Sequence, residues 1–151
     1  DDSGGHTGFD AYVGRTPLER RLNWLGTRDI APFLALPAAL DFQARHGWPQ
    51  QRERCRAMAL ALMHRVAART GLAPIGPNEA FAQMAPLPVH STDAEALRRR
   101  LFDEHRIEVP VTQHAGRVMV RVSVQAYNTD EELARLEAAL QALGVLSPSP
   151  G

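Results

Sequence analysis

Arg117-Val118-Met119-Val120-Arg121-Val122-Ser123-Val124 is the stretch on which the fold reading turns. Valine at 118, 120, 122 and 124 alternates with Arg117, Met119, Arg121 and Ser123. That two-residue period predicts a strand with one face buried. Five residues on, Thr129 followed by Glu132 forms a capping-box signature, and Leu133, Leu136, Leu140 and Leu143 then recur at helical spacing. The reading is therefore a strand followed by a helix that lays its leucine stripe against the valine face.

Working upstream, Ile107–Val111 and the apolar stretch Phe81–Val89 read as further strands. Thr92 with Glu95 predicts a capping box for a helix over Asp93–His105. A longer helix is expected over about Pro49–Thr70, with Cys55, Met58, Ala59, Leu62, Val66 and Ala67 on one face. Gly71 would terminate it, and Gly47 with Pro49 forms a Gly-stop, Pro-start pair before it. Ala31–Leu40 is apolar nearly all round, which predicts a deeply buried helix, with Pro37 expected to kink it. Residues 1–23 hold Gly4, Gly5, Gly8 and Gly14 without periodicity and read as a loop or arm. The order is two helices, then strand–helix–strand–strand–helix. This is an α+β unit whose small, mainly antiparallel sheet is covered by helices on one side. The expected divisions are an arm over 1–28, a small domain over 29–146 and a tail over 147–151.

Composition narrows the chemistry. The 151 residues carry 17 basic and 17 acidic side chains, and all 17 basic ones are arginine. Without lysine there is no side-chain amine for a Schiff base, a lysine general base or a phosphate-loop lysine. Zero net charge argues against a nucleic-acid or membrane-surface partner. The arginine runs Arg20-Arg21 and Arg98-Arg99-Arg100 are interleaved with Glu19, Glu95, Asp103 and Glu104, as on a solvated helix face. One cysteine, Cys55, excludes an internal disulfide and a multi-cysteine metal site, and points to a reducing, cytoplasmic setting. No apolar run is long enough for a membrane span. His6, His46, His64, His90 and His105 show no metal-ligand spacing. The opening Asp1-Asp2-Ser3-Gly4-Gly5 lacks both Met and signal-peptide character, so a piece of a larger protein is expected.

Two positions carry candidate chemistry. Gly26-Thr27 precedes the first apolar helix, where free N–H groups and a hydroxyl suit an anion such as phosphate. From the residues alone, Thr27 or Asp29 acting as a helix cap is the favoured reading. Arg121 stands on the polar side of the valine strand. Its planar fork suits a carboxylate, although a salt bridge to a neighbouring helix is the favoured reading without further context. Arg28 is open between a substrate contact and a structural ion pair. His114 is a loop histidine that either faces a substrate or is simply solvated.

Three stretches together resemble the C-terminal part of class V aminotransferases, the fold-type I pyridoxal-phosphate enzymes. They are Trp24-Leu25-Gly26-Thr27-Arg28-Asp29; Phe81-Ala82-Gln83-Met84 with Pro86-Leu87-Pro88 and Ile107-Glu108-Val109-Pro110; and Val120–Thr129 with Asp130-Glu131-Glu132-Leu133. Within the class they are most similar to the isopenicillin N epimerase-like branch. The resemblance covers nearly the whole chain, and its third stretch is the most class-specific.

It implies that Gly26 and Thr27 reach the cofactor phosphate of a neighbouring subunit in a homodimer, and that Arg121 anchors the substrate α-carboxylate. It further implies an amino-acid substrate held as an external aldimine on pyridoxal phosphate, with epimerisation first and transamination or a lyase reaction second. The Schiff-base lysine would lie upstream, so these residues alone should be inactive and hold no covalent cofactor. Cysteine desulfurases resemble the Arg121 region but carry a nucleophilic cysteine in the loop before that strand. Here that segment, Val111-Thr112-Gln113-His114-Ala115-Gly116, has none, and Cys55 on a helical apolar stripe is expected to be inert. The alternative is a cofactor-free binding or interaction module of the same fold, which a start codon directly before Asp1 would favour.

Overall fold

A computed structural model describes residues 14–23 and 26–147. The rest of the expected arm (residues 1–13), Trp24 and Leu25, and residues 148–151 of the expected tail lie outside the described residues. The chain divides into two compact units, residues 1–45 and 46–151.

In the first unit, α1 spans Pro17–Asn23 where a loop was expected. The Thr16 hydroxyl accepts from Glu19 N at 3.1 Å and the Glu19 carboxylate accepts from Thr16 N at 2.9 Å, a reciprocal cap with Pro17 in the first helical position. Helix α2 runs over Ala31–Arg45 with Pro37 inside it. The expectation of deep burial fails for this helix. Phe33 is 59% exposed and Leu36 55%, and no residue of α2 is buried. A helix that is apolar all round requires cover, but the requirement does not supply it. Forty-five residues form too small a body to bury one.

The second unit is built on α3, Trp48–Thr70. Gly47 precedes it in the left-handed region at φ 59°, Pro49 sits in its first turn, and left-handed Gly71 closes it by donating to Ala67 O at 2.9 Å. Its stripe Cys55, Ala59, Leu62, Met63 and Val66 is fully buried. After a short 3₁₀ turn, whose carbonyls at Asn78 and Phe81 receive the Arg56 guanidinium, β1 spans Met84–Pro88. It starts later than the apolar stretch suggested. Helix α4 covers Ala94–His105, β2 Val111–His114, β3 Arg117–Ser123 and α5 Asp130–Ala142.

The sheet order is β1-β3-β2, all antiparallel to the central strand. β1 and β2 therefore run parallel on either side of β3, with α4 crossing between them. Pro86 and Pro88, which cannot donate to a ladder, lie on the edge strand where they are tolerated. α3 packs on β1, α4 on β2, and α5 touches both helices. Ala85, Leu87, Val118, Val120 and Val122 face them as one buried surface, so the α+β reading with a helix-covered antiparallel sheet stands. Met119 departs from the simple alternation. It lies on the opposite face, yet is buried between Pro88 and Thr112, its partners on the two flanking strands.

Three local readings are corrected. Asp93, not Thr92, caps α4, accepting from Ala96 N at 2.9 Å, while Glu95 pairs instead with Arg98. Ile107–Pro110 is not strand. Arg106 adopts the left-handed conformation (φ 57°) and Ile107 N donates to Leu101 O at 3.0 Å, a Schellman ending that consumes these residues before β2 begins. The segment Val111–Gly116 is not a loop, because only Ala115-Gly116 turns between β2 and β3. Both turn residues have positive φ (48° and 75°), as a two-residue type I′ hairpin requires. The capping box at Thr129 and Glu132 is present as read, and Leu133, Leu136, Leu140 and Leu143 are buried.

Glu137 ties α5 to α3, meeting Arg65 at 2.9 Å and Arg69 at 3.2 Å. Burial pushes its carboxyl upward, but the two guanidinium hydrogen bonds outweigh this and hold it below the ordinary 4.5. A depressed carboxyl contributes stability that is present above the unfolded-state value and lost as pH falls through the folded-state one. Stability should thus be flat above about pH 5 on this account and decline below the ordinary glutamate range. Glu137→Gln should shallow that acid decline in urea titrations run at stepped pH; an unaltered decline would deny the clamp a share in it.

Ala115 in the left-handed region costs roughly 1 kcal/mol relative to glycine. Ala115→Gly, or Ala115→Asn to give Asn-Gly, should therefore raise stability by about 0.5–1 kcal/mol, read as a higher urea midpoint with unchanged slope.

Candidate functional site

β3 is the central strand, and its ladder fixes where Arg121 points. Arg121 pairs with Pro86 of β1, and its backbone N–H donates to Pro110 O at 2.9 Å on the other side. Val120 and Val122 face the helices, so Arg121 and Ser123 emerge from the opposite face. The guanidinium is exposed and forms no ion pair or side-chain hydrogen bond among the described residues. The salt bridge to a neighbouring helix, favoured from the residues alone, is thus not made.

Arg121 lines a cavity of about 300 Å³ with Arg106, Glu108, Ser123, Asn128 and Arg135 among its walls. Several walls are held in place by local bonds. Asn128 accepts from Gln125 N at 2.8 Å and donates to Glu132 at 3.0 Å, so the Tyr127-Asn128-Thr129 turn is tied to the cap of α5. Hydrogen bonds from the Asn128 side chain and then the Thr129 backbone hold the Glu132 carboxyl below its usual range. Arg135 donates to His105 O at 2.6 Å.

Gly26 and Thr27 belong to the first unit and Arg121 to the second. Asp29 is the residue that caps α2, its carboxylate accepting from Ala31 N at 2.9 Å. The Thr27 hydroxyl has no hydrogen bond among the described residues. Gly26 has φ 88°, and the space where a Cβ would sit is open, so the glycine serves backbone conformation rather than close packing. The Arg28 guanidinium stacks on Phe33, 4.8 Å from the ring centroid. His114 ends β2 opposite Arg117 and is exposed. Cys55 is buried in α3 among apolar side chains. Among the described residues no three His, Cys, Asp or Glu side chains gather as metal ligands, and no helix is long and apolar enough to cross a membrane. Arg106 was not singled out from the sequence; its cue is an arginine where the end of α4 calls for glycine.

No protein-family model matches the chain. Isopenicillin N epimerase of Amycolatopsis lactamdurans is 40% identical over 133 residues, which is 86% of this chain and 33% of that protein. Over these residues the chain is homologous to proteins named isopenicillin N epimerase. The enzyme of the same name from Streptomyces clavuligerus is 41% identical over 133 residues, with the same two shares. An 8-amino-7-oxononanoate synthase of Burkholderia ambifaria is 29% identical over 127 residues, 82% of this chain and 28% of that protein. The chain thus spans about one third of the length of these curated relatives. Its α+β fold, with a small three-stranded antiparallel sheet, is consistent with a small C-terminal domain of a pyridoxal-phosphate enzyme.

Proposed function

We propose that this chain is the C-terminal small domain, with the arm leading into it, of a pyridoxal-phosphate-dependent enzyme acting on an amino acid, with epimerisation as its reaction. The small domain would occupy residues 29–146. The observation that carries this reading is Arg121, a central-strand residue with an exposed, unpaired guanidinium and among those lining a cavity, in a chain 40% identical over 133 residues to isopenicillin N epimerase. Epimerisation is preferred to a lyase or transaminase reaction because the proteins of that name stand at 40–41% identity, against 29% for the synthase.

The residues present fit part of such a site. Thr27 offers a hydroxyl not spent on capping, and the left-handed Gly26 leaves the adjoining backbone open, as a phosphate would need. In the reading proposed they serve the cofactor of a neighbouring subunit in a homodimer. When bound, pyridoxal phosphate supplies an electron sink for charge developing at the substrate's α-carbon. Arg121 would hold the α-carboxylate through two parallel N–H donors, which fixes the orientation of the α-carbon and so the direction in which its proton leaves or returns. The strand ladder fixes the face of the sheet from which that side chain emerges. With no lysine in the sequence, the covalent attachment and the catalytic amine come from outside these residues. A cytoplasmic setting is proposed for the enzyme, in keeping with its unpaired buried thiol.

In the complete enzyme, Arg121→Ala should raise KM for carboxylate-bearing substrates by about 10- to 100-fold, the worth of a charge-assisted pair. Arg121→Lys should recover only part of this, because an ammonium cannot supply the fork. Unchanged kinetics would rule out the anchoring role. Thr27→Val should weaken pyridoxal phosphate binding by about 3- to 10-fold in a fluorescence titration, the loss of one neutral hydrogen bond. An unaltered affinity would leave Thr27 without a part in the cofactor site.

A further inference from the structure

Helix α2 carries large apolar side chains and buries none of them. Ile30, Phe33, Leu34, Leu36 and Leu40 are each more than half exposed. At about 100° per residue, Ile30, Phe33, Leu36, Pro37 and Leu40 fall along one stripe, with Leu34 at its edge. Ala35, Ala38 and Ala39 fall on the other side, and no charged side chain interrupts Ile30 to Leu40. At roughly 100 Å² for each large side chain left half exposed, the stripe sets on the order of 500 Å² of apolar surface in water. That is more than half of the ~800 Å² that each partner gives to a standard interface.

Charge is confined to the two ends of this stretch. Arg28 and Asp29 stand before it, and Asp41 and Arg45 after it. The stacking of Arg28 on Phe33, 4.8 Å from the ring centroid, holds a cation at the edge of the stripe. Asp41 and Arg45 meet at 3.8 Å with both side chains largely exposed, a contact worth little by itself. Two copies of α2 laid parallel would set Arg28 against Arg28 and Asp41 against Asp41. Laid antiparallel about a two-fold axis, with Phe33 against the partner's Leu36, they set Arg28 opposite the partner's Asp41, because both pairs are centred on the same point of the chain. The two helix dipoles then oppose each other, and every contact is made twice.

We propose that the exposed stripe of α2 is a self-association surface, on which the α2 of a second copy of this chain packs antiparallel. A second copy fits for two reasons. The apolar area is of the size a small symmetric interface uses, and the charged ends complement each other only when the same helix returns in the opposite direction. The inference rests on α2 alone and goes beyond the reading of Arg121 and Thr27 given above.

The test is sedimentation equilibrium of the whole 151-residue chain across the micromolar range. The wild type should run as a dimer, at twice the 16.6 kDa of one chain. Leu36→Glu combined with Leu40→Glu should run as a monomer. The urea midpoint of the second unit should be kept in that variant, since neither leucine is buried. Arg28→Glu sets like charges against each other at both ends and should weaken the dimer about 3- to 10-fold, the worth of two exposed ion pairs. Adding Asp41→Arg to Arg28→Glu should restore it. A monomeric wild type, its stripe covered by another part of the polypeptide, overturns the proposal, as does a dimer that survives Leu36→Glu with Leu40→Glu. A dimer weakened by Arg28→Glu and not restored by Asp41→Arg overturns the antiparallel pairing.

Discussion

The whole of the second unit depends on one strand being central. Both edges of β3 are hydrogen-bonded, so it can neither slide nor rotate without breaking two ladders. A one-residue slip would expose Val118, Val120 and Val122 and bury Arg121 among the helices. Burying an unpaired guanidinium there costs several kcal/mol by the usual penalty for desolvating a charge. Structure and site are therefore set by the same constraint. The packing that turns the valines inward is what turns Arg121 outward, and no separate device is needed to aim it. The residues around it are held by bonds of the same local kind: the Asn128 turn, the cap of α5 and the Schellman corner at Arg106.

Much of this architecture was legible because it rests on short-range rules. Alternation over Arg117–Val124 marks a half-buried strand wherever it occurs, and Thr129 with Glu132 marks a helix start with few competitors. Competition between neighbours is what hid the rest. At the start of α4, Thr92 and Asp93 are both capping residues; Asp93 takes the role, and Ser91 supports it by accepting from Asp93 N. At its end, no residue type announced the left-handed corner, since arginine is the wrong residue for it. The extended residues after it were therefore read as strand. The cap at Thr16-Pro17 carried a full signal in Glu19, obscured by the glycines before it.

α2 taught a different lesson. Its composition was read correctly as apolar on all sides, and the inference from apolar to buried then failed. Burial is a relation between a surface and whatever covers it, and periodicity describes only one of the two. The same limit applies to Arg121. From sequence alone the guanidinium on this strand was read first as the partner of an internal carboxylate, and the positions of Glu108, Glu132 and Glu137 decide against that reading. Glu137 is taken by Arg65 and Arg69, Glu132 by the helix cap, and Glu108 pairs with neither cavity arginine.

A chain whose cations are all arginine makes that separation unusually clear. Arginine stays charged throughout the accessible pH range, so none of these groups can escape an unfavourable site by losing a proton as a lysine could. Each must be paired, solvated or kept for a ligand. Arg56 and Arg117 donate to loop carbonyls at Phe81 and Ala73, and Arg135 donates to the His105 carbonyl at the end of α4. Arg65 and Arg69 clamp two helices, and Arg98 and Arg100 pair along one. Arg106 and Arg121 share a cavity instead, one of them on a backbone corner that a glycine would fit at lower cost. Solvation alone would let a cation sit anywhere on the surface. Arg121 stands apart from the paired arginines because the strand ladder, and no partner of its own, sets the face on which it emerges.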